Sequence, residues 1–323
     1  MTTSPSTSTP SLEPVPPLSV HRHQPLSHDQ QIRVQKIIHA AERRDWNVLA
    51  DLAASPGGFI DDHIRRVVCM YGNDLEFPLS APQLHLNPDT VIGPLVLGGD
   101  NAQSSSSGIN WRDLPKHREE GQVELDVNRS FVYYPTGKCI TVLLQRPRPH
   151  RHSRSTKTNI SALKDESDER IDARKHELSD IITETLRRHP MLCYFQGYHD
   201  IVQVLLLVLG AETTPAAVAR LSLLRIRDFM LPTMTGALSH LQLLPSILKA
   251  ADPDLFQHLS QTAPFYFALP ATLTLYAHEI QEYGDIARLF DYLLTNEAAA
   301  SIYLYATVSR SIQNLLSTTK KKT

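Results

Sequence analysis

The residues that could do chemistry fall in two short stretches. In the first, residues 123–130 read Val-Glu-Leu-Asp-Val-Asn-Arg-Ser, with Asp126 three positions before Arg129. On a helical turn that spacing sets carboxylate and guanidinium on one face. Such a pair can pre-orient the guanidinium through a charge-assisted hydrogen bond. It can equally be a solvated surface pair worth little. In the second stretch, residues 189–210, Tyr194-Phe195-Gln196-Gly197 leads into an apolar run, 201–209, interrupted only by Gln203. Gln196 and Gly197 therefore stand at the N-terminal mouth of a helix. Its unpaired N–H groups and positive dipole end suit phosphate. Taken alone, this segment also reads as a core helix with an ordinary turn before it. His199-Asp200 has the look of half a dyad, but no nucleophile is paired with it in sequence, so it reads as helix-face packing or hydrogen bonding.

Other chemistries are excluded by what is missing. Thr136-Gly137-Lys138-Cys139 is not a phosphate-binding P-loop, because Val132 stands where the first glycine belongs and Cys139 where Ser or Thr belongs. The chain is not expected to bind GTP by that route. Cys139 with His150 and His152 offers one thiol and no fitting ligand spacing for zinc. Neither a nucleophile elbow nor a dinucleotide fingerprint is present. A formal net charge of −2 over 323 residues provides no global basic field for nucleic acid. Cys69, Cys139 and Cys193 are an odd, scattered set, which suggests reduced thiols in the cytosol rather than a disulfide framework. No apolar run reaches the ~18–20 residues of a membrane span, and the N-terminus lacks a signal-peptide core. The chain as written reads as soluble.

The elements that must position the two stretches are helical. Residues 1–26 are rich in Ser, Thr and Pro and read as a disordered tail. Order begins at Ser27-His28-Asp29-Gln30, a capping-box pattern. Asp45 is placed to cap a second helix, broken at Gly57-Gly58, and Asp61-Asp62 a third, ending at Gly72. Helical character returns near Glu119, and Ser130 to Tyr134 is the best strand candidate. Residues 138–167, with a basic, proline-rich core at 145–154, read as a solvated, disordered insertion. From Asp168 the pattern is helical as far as Pro190, which cannot donate its nitrogen and stops the helix. Gly197 lets the chain turn, and Gly210 closes the apolar helix. Thr214-Pro215 and Asp252-Pro253 look like caps followed by proline at the first helical position. Pro245 is the expected break in the apolar face of Leu238 to Leu248, and two more helical stretches are expected at 266–280 and 285–294. With no fixed-period repeat, a regular solenoid is excluded. The fold class is all-α, one extended domain of many short helices.

Set in that frame, Tyr194-Phe195-Gln196-Gly197 resembles the Y-x-Q-G motif of TBC-domain Rab GTPase-activating proteins, and residues 123–130 resemble that family's I-x-x-D-x-x-R motif. Their order is right, and the resemblance extends from about Gln31 to Val308. It is strongest to the branch anchored in the endoplasmic reticulum, through Gln-Gly-Tyr-His-Asp-Ile and Arg-Asp-Phe-Met. At Cys69 the family usually carries Trp, so a smaller apolar side chain is expected to pack at that core position.

The resemblance implies a single Rab-GAP TBC domain over 27–317, with a lysine-rich end at 318–323. It implies a GTPase activator that is not itself an enzyme in the ordinary sense. Arg129 would be an arginine finger and Gln196 a glutamine finger, with Asp126, Tyr194 and Gly197 in supporting roles. The partner would be a Rab-family small GTPase in its GTP-bound form, carrying the GTP and Mg²⁺, so that the chain needs no cofactor or metal of its own. The expected setting is cytoplasmic, at the cytosolic face of ER and Golgi membranes, in ER-to-Golgi vesicle transport. The basic insertion could add weak membrane-surface contact. Anchored members continue with further helices and a membrane span where residues 309–323 turn polar, so a C-terminally truncated domain is expected. A catalytically silent Rab-binding or scaffold protein is the alternative.

Overall fold

The computed structural model describes residues 26–73, 110–132, 157–262 and 265–320. Among them there is no β-strand. The expected N-terminal tail, the loop before Asn110, most of the basic insertion and the end of the lysine-rich tail lie outside the described residues.

Local chemistry starts the first three helices where the sequence predicts. Helix α1 (His28–Arg43) opens on a complete capping box: Ser27 Oγ accepts from the Gln30 amide and Gln30 Oε1 from the Ser27 amide. Helix α2 (Trp46–Ala54) is capped by Asp45, which accepts from the Val48 amide at 3.1 Å. Asp61 does the same for helix α3 (Asp62–Asn73) through the Ile64 amide at 3.0 Å. These three helices enclose a small core of Ile37, Leu49, Phe59 and Ile64.

Helix α4 (Glu120–Val127) follows, then the long α5 (Lys157–Arg188). The latter begins ten residues before the expected end of the insertion, so 157–167 are helical rather than loop. No Gly or Pro interrupts the chain from Lys157 until Pro190, so nothing stops the helix from extending back past Asp168. The strand candidate fails where it is described: Phe131 and Val132 form a bend, and Phe131 has a left-handed φ of 62°.

The apolar run becomes helix α6 (Tyr198–Leu209), buried along almost its whole length from Tyr198 to Leu209. It packs against α3, α4, α5 and two later helices, α7 (Thr214–Leu224) and α12 (Tyr283–Thr295). Each aliphatic side chain fully buried along it contributes about 1.5–3 kcal/mol. That makes α6 the axis of the main core. Helices α8 (Thr235–Leu241), α9 (Leu243–Ala251) and α10 (Pro253–Thr262), a 3₁₀ turn at Phe265–Ala268, the short α11 (Leu269–Leu273) and α13 (Ala300–Lys320) complete the chain. A third core, with Leu244, Leu248, Leu255 and Ile302, joins α9, α10 and α13.

Three further departures from expectation lie after Gly210. Helix α7 begins at Thr214, which is therefore not its cap, and its hydroxyl donates back to the Gly210 carbonyl instead. The break between α8 and α9 falls at Gln242 rather than Pro245. Pro245 then lies in the first turn of α9, where its missing N–H costs nothing. Residues 266–280 are not one helix: Leu275 and Tyr276 both take left-handed φ, 48° and 66°. The Tyr276 hydroxyl donates to the Ser301 carbonyl at 2.7 Å, tying that strained turn to α13.

Candidate functional site

The two stretches singled out in the sequence meet around one carboxylate. Asp126, on the last turn of α4, has a fully buried side chain. Its Oδ1 accepts from Arg129 Nη2 at 2.5 Å and from Gln122 Nε2 at 3.0 Å. Its Oδ2 accepts from the Tyr194 hydroxyl at 2.9 Å. One buried acceptor thus joins the α4 motif to the loop before α6. Burial alone would oppose ionisation of Asp126, but the bonds from Tyr194, Gln122 and Arg129 outweigh it and hold the carboxyl below its usual range. Burial, then the neighbouring Asp126 charge, push the Tyr194 phenol far above its ordinary value, so it is a permanent donor.

Arg129 leaves this cluster outward: its side chain is 67% exposed. The chain bends directly after it, where the Phe131 amide is held by Gln203 Oε1 at 3.1 Å. Gln203 is the single polar residue of the apolar run, and its buried amide fixes the turn that carries Arg129. On the other side, Gln196 is exposed two residues beyond Tyr194, between buried Phe195 and buried Gly197. Gly197 has φ 100°, and a Cβ there would stand 2.5 Å from Thr274 Cγ2. Both facts require glycine, and together they set the exit angle of Gln196. Phe195 anchors the loop by ring contacts with Tyr198 and Phe229 at 5.6 and 6.3 Å.

The start of α4 clamps the same loop. Glu119 Oε2 accepts from the Tyr194 amide at 2.5 Å, and His117 Nε2 lies 3.1 Å from the Leu192 carbonyl. Glu120 holds Arg187 of α5 through two bonds of 2.7 and 2.8 Å. The Cys193 amide donates to the Met230 carbonyl at 2.8 Å. Asp126, Arg129, Tyr194 and Gly197 of the expected set are thereby assembled in one connected unit, with Gln196 carried on its rim. Sequence reasoning did not single out Glu119, Gln122 or Gln203. Gln203 carried a signal, being a lone amide in a run that otherwise buries only apolar groups. Glu119 and Gln122 look like any polar residues at the head of a helix.

His199, on the first turn of α6, closes the back of the cluster. Its Nδ1 lies 3.0 Å from the Tyr194 oxygen, and its Nε2 3.4 Å from Asp200 Oδ1. Burial first lowers its proton affinity, against the pull of Asp200 and Asp126. His199 thus bonds Tyr194 and pairs with Asp200. Among the described residues no group of His, Cys, Asp and Glu could hold a metal ion, and no helix is long and apolar enough to cross a membrane.

The arrangement can present a guanidinium and a carboxamide from a rigid, hydrogen-bonded base. Comparison with known proteins identifies the family. Residues 154–316, about half the chain, match the model of the Rab-GTPase-TBC domain. That match contains Gln196, while Arg129 precedes it. The bovine TBC1 domain family member 20 is 31% identical over 269 residues, covering 83% of this chain and 54% of the relative. The GTPase-activating protein gyp10 of Schizosaccharomyces pombe is 37% identical over 193 residues, 59% of this chain and 44% of the relative. The GTPase-activating protein GYP8 of Saccharomyces cerevisiae is 24% identical over 264 residues, 74% of this chain and 41% of the relative. The chain spans about half the length of these relatives. With the matching domain model, the helical frame and the two motifs joined through Asp126, the chain belongs to the Rab-GTPase-TBC domain family.

Proposed function

We propose that this chain activates GTP hydrolysis on a Rab-family GTPase in its GTP-bound form, supplying Arg129 and Gln196 in trans. Hydrolysis on a small GTPase is slow because charge developing on the transferring phosphoryl is poorly stabilised and the attacking water is poorly held. Arg129 brings a planar, permanently charged fork that can bridge phosphate oxygens. Gln196 can donate and accept at once, as water positioning requires. The observation that carries this reading is the buried Asp126 carboxylate. It bonds the exposed Arg129 directly and, through Tyr194, the loop that bears the exposed Gln196. Pre-organisation of this kind removes reorganisation cost from the reaction step. GTP and Mg²⁺ belong to the partner.

The resemblance of 196–201 and 227–230 to the ER-anchored branch supports action in the early secretory pathway, at the cytosolic face of ER or Golgi membranes. Single-turnover hydrolysis against a panel of Rab proteins tests the reading. With the Rab that responds, Gln196→Ala is expected to lower stimulation by roughly 10²–10³-fold, the cost of removing one preorganised polar group. A Rab whose own catalytic glutamine is changed to leucine is expected to remain stimulated. Loss of stimulation in that Rab together with near-normal rates for Gln196→Ala would overturn the glutamine assignment. No acceleration of any Rab by the folded protein would leave a silent Rab-binding protein.

A further inference from the structure

The Tyr194 hydroxyl has one proton and two acceptors: Asp126 Oδ2 at 2.9 Å and His199 Nδ1 at 3.0 Å. Which of them receives it depends on His199. Neutral imidazole carries one N–H. The Asp200 charge, with Oδ1 3.4 Å from Nε2, favours the tautomer that carries the proton on Nε2. Nδ1 is then a lone pair that competes with Asp126 for the Tyr194 proton. When His199 is protonated, both ring nitrogens are donors. Nδ1–H then points at the Tyr194 oxygen, whose own proton is left to Asp126 alone. The added positive charge also lies 3.9 Å from Asp126 Oδ2. Both changes satisfy the Asp126 carboxylate from behind, so each weakens its hold on Arg129 at Oδ1.

We propose that His199 is a positioning residue whose protonation, relayed by the Tyr194 hydroxyl, sets how tightly Asp126 holds Arg129. The groups facing His199 are Asp126 and Arg129 at the end of α4, Tyr194 in the loop, Asp200 on its own helix, and His278 from the turn after α11. His278 is exposed and its Nδ1 lies 3.1 Å from Asp200 Oδ2, so it competes for the same carboxylate. Burial lowers the proton affinity of His199, and the Arg129 and His278 charges add to that. The switch therefore operates on the acid side of the ordinary histidine range, about 6.5. The relay itself is a property of the free protein. Its consequence for hydrolysis rests on the function proposed above.

Nitrogen NMR of the isotope-labelled full chain tests the relay without any partner. The His199 ring signals and the Arg129 Nε signal are followed from pH 7.5 to 5, in the wild type, in Tyr194→Phe and in His199→Gln. The expected result is an Arg129 shift that shares the His199 midpoint in the wild type, is reduced in Tyr194→Phe, where only the His199 charge still acts, and is absent from His199→Gln. An Arg129 signal that ignores the His199 midpoint in the wild type, or follows it unchanged in Tyr194→Phe, would overturn the relay. Single-turnover hydrolysis of a responsive Rab is measured beside it. Stimulation is expected to rise about two- to tenfold as pH falls through the same midpoint, the range of one hydrogen bond, and to lose that inflection in His199→Gln. NMR coupling with no stimulation of any Rab would support the relay and sink the activator reading. Stimulation without NMR coupling would do the reverse.

Discussion

The molecule contains two Tyr–Asp–Arg groups built from the same parts and put to opposite uses. In one, Tyr194 donates to Asp126, which holds Arg129 through a single nitrogen; the carboxylate is fully buried and the guanidinium 67% exposed. In the other, Tyr283 donates to Asp62, which shares Arg65 with Asp291. There the guanidinium grips Asp291 with two bonds, at 2.8 and 3.0 Å, and is only 12% exposed. Asp291 also accepts the Phe59 amide at 3.0 Å, so the group pins α3 and the Gly57-Gly58 turn onto α12. Every donor of Arg65 that is paired faces inward, and its charge is consumed by the fold. Arg129 has donors left over and faces solvent. Under the proposed function, Arg129 needs a partner that aims it at another molecule's phosphate without saturating it.

That difference can be broken first at the two arginines. Arg129→Ala is expected to reduce stimulated Rab hydrolysis by roughly 10³–10⁵-fold, the span associated with an arginine supplied in trans. Its unfolding free energy is expected to fall by no more than about 2 kcal/mol, since Gln122 and Tyr194 still bond the buried carboxylate. Arg129→Lys keeps charge but loses the fork, so it should restore little of the rate. Single-turnover kinetics alongside urea unfolding measures both. Arg65→Ala is expected to do the opposite. It strands a buried carboxylate and costs about 3–5 kcal/mol of stability, while the surviving folded fraction still stimulates. A large stability loss in Arg129→Ala, or an intact fold in Arg65→Ala, would erase the distinction.

The two groups also differ in how far the sequence revealed them. Asp126 and Arg129 are three residues apart, so a helical turn makes the pair visible without any tertiary knowledge. Arg65 and Asp291 are separated by more than two hundred positions, and nothing local marks them as partners. The same physics governs the fold. Caps at Ser27, Asp45, Asp61 and Asp252 were legible because each acts within three residues. The left-handed turn at Leu275 and Tyr276 was not, because it is held by Ser301 on another helix. At the site, Arg129 and Gln196 were readable from motif order, and Gly197 from its turn. The roles of Gln203 and His199 depend on which atoms folding brings to them, which spacing does not encode.

Acid separates the groups more gently. The Asp126 carboxyl is held below its usual range in the fold, so it binds its proton more readily when unfolded. Stability from this residue is therefore fully present above the unfolded value of about 3.9 and drains away as pH falls through the lower folded value. Asp126→Asn lacks the charge at every pH. Urea unfolding of both proteins from pH 7 to pH 3 is expected to show a constant gap above about pH 5 that narrows below pH 4. A gap that stays constant to pH 3 would mean that Asp126 is not ionised by its neighbours as described.

The smallest expected effect gives the finest comparison, because it removes one equivalent oxygen from each group. Tyr194→Phe and Tyr283→Phe each delete a hydroxyl that donates to a buried carboxylate, at 2.9 and 2.8 Å. Asp126 keeps Gln122 and Arg129, and Asp62 keeps Arg65. Neither carboxylate is orphaned, so each variant is expected to lose only about 1–2 kcal/mol of unfolding free energy, in the range of a hydrogen bond to a charged group. The stability costs should thus be similar. The rates should not be. Tyr283→Phe loosens the contact between α3 and α12, far along the chain from both motifs, and stimulated hydrolysis should match the wild type. Tyr194→Phe frees the Asp126 oxygen behind Arg129 and unties the loop bearing Gln196, so hydrolysis should fall by more than its stability loss explains. Measuring rates well below the unfolding midpoint of both variants keeps the fold constant. Equal rates for the two would show that Tyr194, like Tyr283, serves the fold alone, and that the bond between the two motifs is structural rather than a means of aiming Arg129.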